Sequence, residues 1–140
     1  LTITDKRMTR FMITLEQGVQ TVWRSFEDMV GGEIYVPKIP SIKIIDLAKM
    51  IAPKNKLKFI GIRPGEKLHE EMISIDDAPQ TFEYETFYKI LPLINDWNFS
   101  KKRIKNGTKV LEGFSYTSDN NTKWMDKKDI LQWVKLNKKF

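Results

Sequence analysis

The chain has no cysteine and a single histidine, His69. Disulfides and thiolate metal sites are thereby excluded, and a zinc site, built from three or four nitrogen and sulfur ligands, is not expected. No apolar run approaches the roughly 20 residues needed to span a bilayer. The N-terminus also lacks the basic-then-apolar layout of a signal peptide, so the expectation is a soluble, cytoplasmic protein without a membrane partner. Neither Gly-x-Gly-x-x-Gly nor Gly-x-x-Gly-x-x-Gly occurs, which leaves the chain without a dinucleotide fingerprint. Tyr-x-x-x-Lys is missing too: the fourth residue after Tyr35, Tyr84, Tyr88 and Tyr116 is Ile39, Tyr88, Pro92 and Asn120. Three stretches, Asn98-Phe99-Ser100, Asn106-Gly107-Thr108 and Asn120-Asn121-Thr122, match the glycosylation pattern, and without a secretion signal they read as chance matches. The first residue is Leu1 rather than methionine, so the chain is expected to be processed, trimmed or part of something longer.

What is present suits one folded domain. With 140 residues, 41% apolar and 11% aromatic, the chain can bury a core large enough to offset its ordering entropy. Its net charge of +6 is placed unevenly: residues 1–100 hold 13 Lys+Arg against 14 Asp+Glu, and residues 101–140 hold 11 against 4. A basic tail can attract nucleic acid, anionic lipid or another acidic surface. The lysines are spread out, however, which favours a solvated face, and no nucleic-acid partner is expected. Trp97, Trp124 and Trp133 lie near lysines, as on some nucleic-acid surfaces, but packing is the commoner role of tryptophan.

Hydrophobic spacing predicts an α/β arrangement of helices and short strands. Met12, Leu15, Val19, Val22, Trp23, Phe26 and Val30 recur at helical steps, with Gly31-Gly32 as the expected left-handed cap. Glu33–Val36 reads as a strand closed by Pro37 and Pro40, and Ile44–Ile51 as a second helix stopped by Pro53. Lys56–Ile62 alternates like a half-buried strand. Glu66–Ile73 is expected to be a short helix, and Thr81–Leu91 to contain a strand. Residues 95–123 are polar and turn-rich, and Asp126-Lys127-Lys128-Asp129 resembles a capping box opening a last helix with Ile130, Leu131, Val134 and Leu136.

The segment with most chemical content is Gly61-Ile62-Arg63-Pro64-Gly65-Glu66-Lys67-Leu68-His69-Glu70. A strand ends, proline stiffens the turn, and glycine lets the backbone approach a ligand. Arg63 could then grip a phosphate through two parallel hydrogen bonds, and Glu66 could accept from ribose hydroxyls. Taken alone, the same residues also describe a plain strand-to-helix turn. It is not a nucleotide-phosphate loop of the Walker type: the spacing is one residue short, and Leu68 stands where a magnesium-binding Ser or Thr is needed. Thr9 and Arg10, before the first helix, could form an anion site with that helix's N-terminus; Thr9 or Thr14 could equally be an ordinary N-cap. His69 reads as a surface or packing residue, and Glu70-Glu71 and Asp76-Asp77 as solvated acidic pairs.

Ile3-Thr4-Asp5 with Met8-Thr9-Arg10-Phe11, the run Val36-Pro37-Lys38-Ile39-Pro40-Ser41, and Gly61 to Glu70 together closely resemble the inverting UDP-N-acetylglucosamine 4,6-dehydratases. These are extended short-chain dehydrogenases at the head of the pseudaminic acid pathway. Glu112-Gly113-Phe114-Ser115-Tyr116, Ser118-Asp119-Asn120-Asn121 and Trp124 resemble the tail of the same enzymes. Lys6 and Met12 depart from the pattern, where proline and tryptophan are expected. The resemblance implies the C-terminal, substrate-binding half of a two-part enzyme, lacking most of the Rossmann sheet. About 1–40 would pack on the missing Rossmann half, and about 41–140 would form the substrate domain and basic tail. In such enzymes a bound NAD(P) takes hydride from C4 of the sugar, water leaves from C6, and the hydride returns at C6 with inversion at C5. The resemblance places the NAD(P) site and the Tyr/Lys/Asp catalytic groups in the missing half, so this chain alone is expected to be inactive, with no catalytic residue and no metal. It implies UDP-sugar binding by Arg63, Glu66, Arg10 and Thr9, and a homo-oligomer when complete. It further implies that Glu33–Val36 joins the missing half's sheet, with the Met12–Val30 helix beside it. A basic nucleic-acid-binding module and a noncatalytic gene remnant are the competing readings.

Overall fold

The computed structural model describes the backbone of residues 1–93 and 104–137, with side chains to residue 135 in the last helix. Within these, ten strands and three helices follow in the order β1 (Thr2–Ile3), β2 (Thr9–Phe11), α1 (Leu15–Asp28), β3 (Ile34–Pro37), β4 (Ser41–Lys43), α2 (Ile44–Ile51), β5 (Lys58–Phe59), β6 (Glu71–Ile73), β7 (Thr81–Glu83), β8 (Phe87–Ile90), β9 (Thr108–Lys109), β10 (Tyr116–Thr117) and α3 (Lys127–Asn137). The fold is the mixed α/β arrangement that the spacing predicts. Trp97 and Asn98-Phe99-Ser100 lie outside the described residues, as does the side chain of Leu136.

The chain forms two compact units that interleave along the sequence. The first comprises Leu1–Met12, Ile39–Glu70 and the segment from Thr117 onward; the second comprises Ile13–Lys38 and Glu71–Tyr116. The expected parts, about 1–40 and 41–140, concerned packing against a segment outside this chain and are a separate division.

In the first unit β1 and β5 run parallel, Thr2 opposite Lys58 and Ile3 opposite Phe59. The pairing continues through Lys58 N–H to Leu1 O and Ile60 N–H to Ile3 O, so the strand expected over 56–62 is present in shorter form. β2 pairs antiparallel with β4, Arg10 opposite Ile42. Ile42, Met8, Ile3 and Phe11 are buried, as are Ala48 on α2 and Ile130 on α3, and α2 packs on α3. The capping box of α3 is made: Asp126 N–H donates to Asp129 Oδ2 at 3.0 Å and Asp129 N–H to Asp126 Oδ1 at 2.8 Å.

The helix expected over Glu66–Ile73 does not form. Its first residues turn, and Glu71–Ile73 is strand β6. A helix would send the Glu70 N–H to the carbonyl of residue 66; instead it donates to Ser118 Oγ, while Leu68 O accepts Thr9 N–H and Glu70 O accepts Ser118 N–H. Partners distant in sequence take the groups that a helix would have used.

The second unit is built on an antiparallel sheet in the order β3-β8-β7-β9, with β6 paired to β10 where the chain leaves the unit. The segment expected to hold one strand, Thr81–Leu91, folds as a β7–β8 hairpin closed by Tyr84 N–H to Phe87 O. β3 is the edge of this chain's own sheet, Ile34 opposite Ile90 and Val36 opposite Tyr88. At its centre Lys89 is 2% exposed, its ammonium 2.5 Å from Asp28 Oδ2 and over the rings of Tyr35 and Tyr84 at 5.4 and 5.1 Å. Burial alone would raise the Asp28 carboxyl, but hydrogen bonds from Lys89 and Tyr35 outweigh it and hold it below its ordinary value.

α1 is shorter than the expected 12–30. Thr14 is its N-cap in a reciprocal capping box with Gln17. At the other end Met29 is already extended, and the positive-φ glycines, Gly31 and Gly32, follow beyond it rather than forming the cap. No residue of α1 is buried. Leu15, Trp23 and Phe26 are 85%, 66% and 65% exposed, an apolar stripe without cover among the described residues.

Candidate functional site

Beyond β5 the chain enters Arg63-Pro64-Gly65-Glu66. Glu66 N–H donates to Arg63 O at 3.0 Å, Pro64 takes the second position, and Gly65 takes the third with φ +82°. This is a type II turn, whose third residue requires the left-handed backbone that glycine adopts freely. The turn folds Glu66 back on Arg63: one carboxylate oxygen accepts the Arg63 N–H at 3.0 Å and the other accepts Arg63 Nε at 3.1 Å. The Arg63 backbone N–H is the main influence holding the Glu66 carboxyl below its ordinary range, with the guanidinium charge and the Thr4 hydroxyl assisting. The Arg63 side chain is 67% exposed, and its two terminal nitrogens have no partner among the described residues. The turn therefore presents a fork of N–H donors beside an ionised carboxylate, a pairing suited to a phosphate and an adjacent hydroxyl.

The far end of this loop is fastened to β2. Arg10 donates to the carbonyl oxygens of Thr9, Lys67 and Leu68 at 2.6, 3.0 and 3.2 Å, and its Nε lies 3.6 Å from Glu70 Oε1. Glu70 Oε2 accepts the Phe11 N–H at 3.0 Å. Thr9 is buried, its hydroxyl between His69 Nδ1 and Ser118 Oγ. All four residues singled out in the sequence thus belong to one loop and the strand that holds it. Arg63 and Glu66 stand at its exposed tip, Arg10 and Thr9 at its root. The expected link of Thr9 and Arg10 to a helix N-terminus is not formed, because both lie in β2 and the cap of α1 is Thr14.

Two residues have roles that the sequence does not signal. Glu70, read as half of a solvated acidic pair, bonds a backbone N–H and faces Arg10. Ser118, fully buried, joins Thr9 to the Glu70 backbone. No spacing rule links positions 9, 70 and 118. Asp77 likewise serves a local role, capping the 75–80 turn through Ser74. Trp124 donates its indole N–H to Asn121 O at 2.7 Å, which ties the 121–124 turn.

The arrangement does not fit a dinucleotide. Such a site needs a strand, a glycine turn and a helix whose N-terminus meets the pyrophosphate. Here the glycines after β5 lead to a turn and then to strand β6, and the N-terminal helix α1 starts from a threonine cap without glycine.

Comparison with known proteins agrees with this architecture. The chain is 53% identical to a UDP-N-acetylglucosamine 4,6-dehydratase (inverting) of Campylobacter jejuni, covering 96% of this chain and 42% of that protein. It is 37% identical to a UDP-glucose 4-epimerase of Rickettsia canadensis, covering 86% of this chain and 36% of that one. An X-ray structure of Pen from Bacillus thuringiensis superposes with a TM-score of 0.75 and 26% identity over 99% of this chain and 40% of that one. The chain spans about two fifths of the length of the relatives it matches. The family model for polysaccharide biosynthesis protein matches residues 1–92, both the loop and the strand that anchors it, and the chain belongs to that family.

Proposed function

We propose that this chain is the UDP-sugar-binding portion of an inverting UDP-N-acetylglucosamine 4,6-dehydratase, with Arg63 holding the diphosphate and Glu66 a ribose hydroxyl. The observation that carries the reading is the Arg63–Glu66 turn itself, an exposed guanidinium and an ionised carboxylate fixed side by side on a loop rooted in a strand. The relatives named for UDP-sugar chemistry, two of them of different reaction type, support the nucleotide as the shared ligand. Arg10 holds the root of the loop and can offer its remaining guanidinium edge to a phosphate; Thr9, buried and doubly bonded, positions the loop. NAD(P), NADP among the options, would be held by the part of the protein outside this chain, together with the catalytic groups. A place in surface-polysaccharide or pseudaminic acid synthesis in the cytoplasm follows from the same reading.

Two further features favour a covering partner segment of the whole protein. α1 exposes an apolar stripe, and β1–β5 is a two-stranded parallel ribbon with Leu1, Phe59, Ile60 and Ile62 exposed. Parallel strands are normally buried on both faces. About 1–40, together with β5, would then face that segment, and the complete protein would be a homo-oligomer.

The test is calorimetry with UDP on the folded 140-residue chain. Weak binding is expected, and Arg63→Ala should abolish it without altering the circular dichroism. No heat from a well-folded sample would overturn the reading.

A further inference from the structure

Ser118, Thr9 and His69 form a line of polar atoms at the root of the 63–70 loop. Ser118 Oγ lies 2.6 Å from Thr9 Oγ1, which lies 2.7 Å from His69 Nδ1. Ser118 is fully buried and Thr9 is 2% exposed, so each hydroxyl hydrogen must find its acceptor inside the protein.

Counting hydrogens fixes the direction. Ser118 Oγ accepts the Glu70 N–H at 2.9 Å. Its one other polar neighbour among the described residues is Thr9 Oγ1, so the Ser118 hydrogen points there. Thr9 Oγ1, having accepted it, has its own hydrogen left, and His69 Nδ1 is the acceptor within reach. Nδ1 is therefore bare, and the neutral ring carries its hydrogen on Nε2, which faces Asp119 Oδ2 at 3.8 Å.

We propose that this directed relay locks the sole histidine as its Nε2–H tautomer, and that His69, Thr9 and Ser118 are positioning residues for the loop carrying Arg63 and Glu66. Their relevance to ligand binding rests on the function proposed above; the relay itself does not. Protonation of His69 breaks the direction. Nδ1 becomes a donor, the Thr9 hydrogen turns toward Ser118, and the Ser118 hydrogen is left buried without an acceptor.

The charged neighbours do not prevent this. Asp119 Oδ2 lies 3.8 Å from Nε2, but its side chain is 45% exposed and the interaction is screened by water. Arg10, next along β2, is engaged by the carbonyl oxygens of Thr9, Lys67 and Leu68. The Glu70 carboxylate is already engaged by Phe11 N–H and Arg10, and Lys67 is exposed and of like charge. Protonation therefore loosens the anchor of the loop.

A single imidazole makes the relay directly readable. Long-range nitrogen–proton spectra of the 140-residue chain at neutral pH should show Nδ1 as the acceptor-type nitrogen. Thr9→Val should relax the ring toward the tautomer mixture of free imidazole, and Thr9→Ser, which keeps the hydroxyl, should restore the lock. On acidification, the protection factor of the Glu70 amide should fall in step with the imidazole titration. In His69→Asn, whose Oδ1 can accept at the place of Nδ1 and does not titrate, it should hold. An Nδ1–H tautomer, or Glu70 protection unchanged through the titration, would overturn the proposal. None of these measurements uses nucleotide, so a failed UDP titration and a failed relay are separate results.

Discussion

Replacing Gly65 by alanine isolates the conformational demand of the candidate loop from any question of space. A Cβ built on Gly65 meets nothing within 4 Å, so no steric penalty is expected. Its φ of +82° remains, and holding an L-residue in the left-handed region costs about 1–2 kcal/mol. Gly18 is the matching control: its Cβ also meets nothing within 4 Å, but it sits inside α1, where alanine is favoured over glycine by about 1 kcal/mol. The same substitution should therefore have opposite signs at the two positions. In urea, with a slope of about 1–3 kcal/mol per molar for a small protein, Gly65→Ala should lower the midpoint by roughly 0.5–1 M and Gly18→Ala should raise it. Gly65→Asn should recover part of the loss, since asparagine tolerates the left-handed region. If the turn instead flips to relieve the strain, the penalty will appear as a changed Glu66 amide shift and weaker UDP binding, about tenfold for each 1.4 kcal/mol. A Gly65→Ala protein with an unchanged midpoint and an unchanged Glu66 amide would refute the argument that this turn needs glycine.

Two more outcomes follow from the second unit. Asp28→Ala removes the carboxylate that pairs with the buried Lys89 ammonium and should cost about 3 kcal/mol of stability by urea unfolding, whereas the double change Asp28→Leu with Lys89→Met should recover most of it. Because the folded pKa of Asp28 is depressed below 3.8, its contribution is fully present above that value and is lost as pH falls through the lower folded value. A pH series should show an acid-side loss that the double variant lacks. Gly107→Ala should cost about 1–3 kcal/mol, because its Cβ would lie 2.6 Å from Tyr84 Cζ and push that ring off its stack with Phe87; a melting temperature equal to wild type would contradict the close approach.

The sequence was most legible where structure is local. Ile44–Ile51 forms the expected helix because its apolar residues recur at helical spacing and Pro53 follows. Thr14 and Asp126 cap their helices through side chains three residues away. Arg63 and Glu66 are joined by a four-residue turn whose proline and glycine announce it. It was least legible where a partner is distant. Glu66–Ile73 has the composition of a short helix, yet Ser118 and Thr9 capture its backbone groups, and neither can be located from within that segment. No pattern within Thr81–Leu91 points to a partner for Lys89, and only the return of α1 brings Asp28 to it. The apolar stripe of α1 is legible from its spacing, but periodicity alone does not say whether this chain covers it.

The interleaving of the two units also constrains the order in which the site can be assembled. Thr9 and Ser118, the hydroxyls that fasten the loop, stand 109 residues apart. During synthesis from the N-terminus, the turn that opens at Arg63 is joined to the chain 55 residues before Ser118, which secures the root of its loop. The nascent chain must carry the loop half-tied while the whole of β7, β8 and β9 is being made. The anchoring of the loop therefore matures late, and a chain truncated before residue 118 would retain the turn but not its mooring.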